Sequence, residues 1–137
     1  MSKVNTCSFF ILLLLSTQLI GCTAETDEHW IRLDAEEFKT TLDAEAQAFL
    51  LDTRTQSEWE NDGHLNGALL IPHDEIDARQ EELPEDKGTL ILLYCRSGNR
   101  SQAAAETLLD LGYTNIRDLQ TGIQGWKAAG YPVDYGQ

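Results

Sequence analysis

Thr89-Leu90-Ile91-Leu92-Leu93-Tyr94 runs without a break into Cys95-Arg96-Ser97-Gly98-Asn99-Arg100. The first six residues carry no charge and read as a central strand covered on both faces. The next six are polar, basic and glycine-containing, so the strand ends in a turn. A helical pattern follows from about Ser101 to Leu111, with Ala104, Leu108 and Leu111 on its inner face and Gly112 in position to stop it.

The same alternation extends outward in both directions. Upstream, Trp30–Leu33, Ala48–Asp52 and Ala68–Ile71 read as strands. Asp34 with Glu37, and Thr55 with Glu58, have the spacing of capping boxes and predict helices over 35–42 and from about 56 to Gly63. Asp74 to Leu83, between Pro72 and Pro84, reads as a polar helix. Downstream, Asn115–Leu119 predicts a fifth strand and Ile123–Ala129 a last helix closed by Gly130. Strands separated by helices of this length imply an α/β fold: an open, mostly parallel five-stranded sheet with helices on both faces. In such sheets ligands sit at the carboxyl ends of strands, which is where Cys95 lies.

The chemistry of that loop follows from its residue types. A thiolate, not a thiol, is the nucleophile. The N-terminus of the following helix supplies unpaired N–H groups and the positive end of a dipole. Arg96 and Arg100 add positive charge, and Gly98 permits a turn in which N–H groups converge as a nest. The rest of the chain is acidic: 10 basic against 23 acidic residues, a formal net charge of −13 among 137 residues. That balance argues against nucleic acid as a partner and against a polybasic membrane patch.

The first residues are of another kind. Phe9–Leu15 is unbroken apolar sequence, too short to span a membrane but suited to a secretory signal. It ends in Leu19-Ile20-Gly21-Cys22, which resembles the lipobox of bacterial lipoprotein precursors. The resemblance implies a signal peptide over 1–21, lipidation of Cys22, a polar tether over 22–28 and a folded domain over 29–137. It also implies export and a lipid anchor facing the periplasm. Thr23, where Asp would signal retention, is similar to the outer-membrane sorting pattern. Loss of Cys7 with the signal and blocking of Cys22 would leave Cys95 as the remaining thiol.

Five motifs in order resemble the rhodanese family of sulfurtransferases over about Ile31 to Val133. They are Leu51-Asp52-Thr53-Arg54 with Glu58-Trp59; Gly63-His64-Leu65-Asn66-Gly67-Ala68 with Ile71-Pro72; Tyr94 through Ser101; Gly112-Tyr113; and Gly122-Ile123-Gln124-Gly125-Trp126. The resemblance implies that Cys95 takes sulfane sulfur from a small anionic donor such as thiosulfate and holds it as a persulfide. A thiophilic acceptor, cyanide or a thiol, would remove it. Arg96, Ser97, Gly98, Asn99 and Arg100 would bind substrate, with the backbone N–H groups on the persulfide and the arginines on the donor. Asp52 and Arg54 would be a structural pair near the site, and His64 a packing residue rather than a base. No metal and no organic cofactor is implied. In family members suited to thiosulfate a basic residue often stands two places after the cysteine; here it is Ser97.

Two rival functions use the same loop. Cysteine phosphatases and arsenate reductases have a Cys-x5-Arg cradle, whereas four residues separate Cys95 from Arg100, a smaller cradle better matched to sulfur. A persulfide carrier or binding module, acting only with a protein partner, is the other.

Overall fold

The computed structural model describes residues 30–136. The stretch read as a signal sequence, Cys22 and the residues read as a tether lie outside them. Five strands form one sheet: β1 (Ile31–Leu33), β2 (Phe49–Asp52), β3 (Leu69–Leu70), β4 (Ile91–Tyr94) and β5 (Ile116–Leu119). Their order is β1-β5-β4-β2-β3, and every pairing is parallel. The four α-helices are α1 (Ala35–Ala44), α2 (Gln56–Asp62), α3 (Arg100–Asp110) and α4 (Gly122–Ala128).

The uncharged run ending at Tyr94 is the middle strand, and all four residues of β4 are buried. Its side chains alternate between two cores, because successive residues of a strand face opposite sides. Ile91 and Leu93 join Ala104, Ala105 and Leu108 of α3 on one face. Leu92 and Tyr94 join Phe38 of α1 and Ile123 and Trp126 of α4 on the other. Trp126 is fixed there by an edge-on contact with Phe38 and by its indole N–H donating to Pro132 O at 2.8 Å.

Both capping boxes form. The Asp34 and Thr55 side chains accept from the N–H groups of Glu37 and Glu58, whose carboxylates accept from the cap N–H groups. Gly112 and Gly130 follow the last turns of α3 and α4 with positive φ. One expectation fails. Residues 74–83 form successive turns and a short 3-10 segment (Gln80–Glu82), not a continuous α-helix. Only Ile76 and Leu83 of this stretch are buried, so it has too narrow an apolar face to hold a helix against the sheet. Arg79 instead gathers Glu75, Glu82 and the carbonyl of Leu70.

Candidate active site

Cys95 follows β4 directly and is 1% exposed. The chain then turns over its sulfur. Gly98 N–H donates to Cys95 Sγ at 3.1 Å. Ser101 Oγ lies 3.5 Å from it. Asn99 occupies the cap position of α3, but its side chain makes no capping hydrogen bond. The sulfur accepts from Gly98 N–H immediately ahead of the helix start, where backbone N–H groups have no partner within the helix. Burial pushes the Cys95 thiol up, yet the hydroxyl of Ser101 and the N–H groups of Ser101, Gly98 and Ser97 together hold it below its ordinary value.

Two glycines make this loop possible. Gly98 has φ 91°, and a Cβ there would lie 1.9 Å from Gln120 O. Gly122 has φ 61°, and a Cβ there would come within 2.4 Å of Arg96 O. The loop after β4 thus packs backbone to backbone on the loop after β5. Ile123 and Gln124 N–H groups donate to the carbonyls of Cys95 and Arg96 across that contact.

The two arginines have different positions. Arg96 is exposed, and among the described residues its side chain has no ion-pair partner. Arg100 is held by Glu58 of α2 in a two-pronged pair at 2.7 and 2.6 Å. Its charge is therefore already balanced by Glu58. Arg100 holds Glu58 down to about 2, against burial and with help from the Thr55 N–H and hydroxyl. A carboxyl lowered in the folded state stabilises the fold above its unfolded pKa and loses that stabilisation as pH falls. We expect the Glu58 contribution to be complete above about pH 4.5 and to vanish toward about pH 2. Thermal melts over that range should show the wild-type chain losing stability faster than Glu58→Gln.

Asp52 and Arg54 lie beneath the loop and are fully buried. Arg54 Nε and Nη2 donate to the Asp52 carboxylate at 2.6–3.1 Å, and Nη2 also donates to Gly63 O at 2.8 Å. The guanidinium sits 5.6 Å from the Tyr94 ring, and the Tyr94 hydroxyl accepts from Leu65 N–H. Neither residue reaches the sulfur by hydrogen bond. His64 stacks on Trp59 at 3.6 Å and pairs through its backbone with Asp134, pinning the C-terminal strand segment.

The groups in hydrogen-bond contact with the sulfur are Gly98 N–H and the Ser101 hydroxyl. Ser101 was not singled out as a site residue from the sequence. Its signal was there: it shares a helical face with Ala104, Ala105 and Leu108, and a polar group on a buried face calls for a partner.

The chain is similar to known proteins in sequence and in fold. The sequence profile of the family described as "Rhodanese-like domain" matches residues 34–129. A "Sulfurtransferase" of Allochromatium vinosum is 34% identical over 101 residues, covering 74% of this chain and 92% of that protein. The crystal structure of a thiosulfate sulfurtransferase from Pseudomonas aeruginosa superposes with a TM-score of 0.69 at 34% identity, over 80% of this chain but 21% of that one. A rhodanese-related protein from Thermoplasma volcanium gives a TM-score of 0.65 at 31% identity, over 75% of this chain and 96% of that one. The strand order, the cysteine at the end of the middle strand and the matched span of 34–129 lead to one assignment: the chain belongs to the rhodanese family.

Proposed function

We propose that the chain is a sulfurtransferase that carries sulfane sulfur on Cys95. One observation supports this reading most strongly: the sulfur of a depressed-pKa cysteine accepts from Gly98 N–H and lies 3.5 Å from the Ser101 hydroxyl. In the first half-reaction the Cys95 thiolate attacks the outer sulfur of thiosulfate. A new S–S bond forms, the thiosulfate S–S bond breaks, and sulfite leaves with the electron pair. The backbone N–H groups of the loop then stabilise the terminal persulfide anion. In the second half-reaction cyanide or a thiolate takes the terminal sulfur, and the Cys95 thiolate returns. Two half-reactions through a covalent intermediate predict ping-pong kinetics. Exposed Arg96 is the cation at the mouth that would receive the anionic donor.

The test is intact mass after incubation with thiosulfate. The chain should gain one sulfur atom and lose it on addition of cyanide. No gain from any sulfane donor would overturn the proposal.

A second reading is a persulfide carrier that serves a protein partner. The Glu58–Arg100 pair favours it, because it leaves the mouth with one fewer free cation for a small donor. A carrier would form the persulfide but release sulfur only when the partner is added.

The proposal extends to location. Leu19-Ile20-Gly21-Cys22 supports export and lipidation at Cys22, which would anchor the domain on the periplasmic side, with the outer membrane favoured by Thr23. More than one acyl chain would make that attachment stable. Cells fed labelled palmitate should label the wild-type chain and not Cys22→Ala, and the variant should move from the membrane to the soluble fraction. Equal labelling of both would sink the assignment.

A further inference from the structure

Beside the Cys95 loop lies a small cavity of about 130 Å³, lined by Asp62, Arg96, Ile123, Gln124 and Lys127. The end of α2, the loop after β4 and one side of α4 build it. The loop and α4 are fastened together: Ile123 N–H donates to Cys95 O at 2.9 Å and Gln124 N–H to Arg96 O at 3.1 Å. Lys127 stands one helical turn beyond those two residues, so it projects on the same side of α4. Its Nζ donates to the carbonyl of Asp62 and so reaches from α4 to the end of α2.

The charges on this cavity differ from those elsewhere. Among the described residues Arg32, Lys39, Arg54, Arg79 and Arg100 each pair with a carboxylate. Lys87 lies over the Tyr113 ring, and Arg117 is half-buried in β5. Arg96 and Lys127 are both exposed, have no carboxylate partner among the described residues, and share one cavity with the residue that follows the nucleophile in the chain. A carbonyl does not balance the charge of Lys127, and an ammonium has two further N–H donors to give. The exposed Gln124 amide adds another donor to the wall. Asp62 is the single carboxylate there, so two positive charges face one negative in a chain whose formal net charge is −13. The volume has room for several waters, and so for one small oxyanion.

We propose that Arg96 and Lys127, with the Gln124 amide, form an anion subsite for the oxyanion end of the sulfur donor, and that Lys127 sets the preference for anionic over neutral donors. The inference deepens the reading of Cys95 as the sulfur nucleophile and rests on it. Thiosulfate carries its charged oxygens on the atom bonded to the sulfur under attack. Held by the two cations, that end stays in place while the S–S bond breaks, and sulfite leaves from the same subsite with the electron pair. Asp62 weakens the hold on the anion.

The experiment compares alkylation of Cys95 by iodoacetate and by iodoacetamide in the full chain, followed by mass on the peptide that carries Cys95. Both reagents lose iodide to the same thiolate and differ in charge. Iodoacetate carries its carboxylate on the carbon under attack, as thiosulfate carries its oxyanion on the sulfur under attack. The ratio of the two rate constants cancels any change in thiolate fraction. Lys127→Gln should lower the iodoacetate-to-iodoacetamide ratio by about two- to fivefold, the effect of one exposed ion pair, and Lys127→Arg should keep it near wild type. Asp62→Asn should raise the ratio by about twofold. In turnover, Lys127→Gln should raise KM for thiosulfate by a similar factor and leave a neutral organic trisulfide donor unaffected. A Lys127→Gln ratio equal to wild type overturns the proposal. Equal slowing of both reagents does so too, because Lys127 would then act only by holding α4 on α2. A ratio that falls in Asp62→Asn also overturns it, an arm that remains if Lys127→Gln does not fold. Alkylation needs no sulfur donor, so failure to take sulfur from thiosulfate would overturn the proposed function while leaving these arms readable.

Discussion

The Cys95→Ser chain is expected to take up no sulfur from thiosulfate, a fall from full loading to below detection. The reason is chemical rather than structural. A serine hydroxyl stays protonated near neutrality even where a cysteine thiol, lowered as Cys95 is, yields a useful thiolate fraction. No persulfide can form on oxygen. The fold should survive, because the replacement is smaller by little and its oxygen can accept from the same Gly98 N–H that meets the sulfur. Intact mass before and after thiosulfate, with circular dichroism to confirm folding, reads both halves of the expectation. Sulfur held by Cys95→Ser at the wild-type level would move the carrier role to another cysteine.

Asp52→Ala is expected to cost about 3–5 kcal/mol of folding stability, the usual penalty for removing one partner of a buried ion pair. Asp52 and Arg54 are both fully buried. Without the carboxylate, Arg54 keeps a single strong acceptor, Gly63 O, and its Nη1 already has no partner. The guanidinium cannot neutralise itself by losing a proton. A loss of this size is a large part of the 5–15 kcal/mol that holds a typical domain together. Urea unfolding should show a lower midpoint with an unchanged slope, and Asp52→Asn, which retains an acceptor oxygen, should fall between. A loss under about 1 kcal/mol for Asp52→Ala would mean that water or another acceptor reaches Arg54.

These two expectations draw on different parts of the chain's legibility. The capping boxes at Asp34 and Thr55 were readable because each joins residues three apart. The middle strand was readable because a run of uncharged residues from Thr89 to Tyr94 has few other places to go. The stretch 74–83 misled for the same local reason. Its residues tolerate a helix, but a helix is kept by a face to bury, and only Ile76 and Leu83 are buried there.

The loop after β4 shows the boundary most clearly. Residue order alone determined that Cys95 ends a buried strand and opens a helix, because strand period, turn glycine and helix periodicity all act within a few residues. It also determined that Gly98 can take the positive φ the turn needs. Tertiary structure alone decided what each charge near the sulfur does. Glu58 reaches Arg100 from 42 residues away, Arg32 reaches Gly98 from 66, and Asp118 meets Arg32 from 86. The parallel crossovers bring these groups to one end of the sheet. The pairing of a charge depends on distance in space, which no pattern of neighbours along the chain reports.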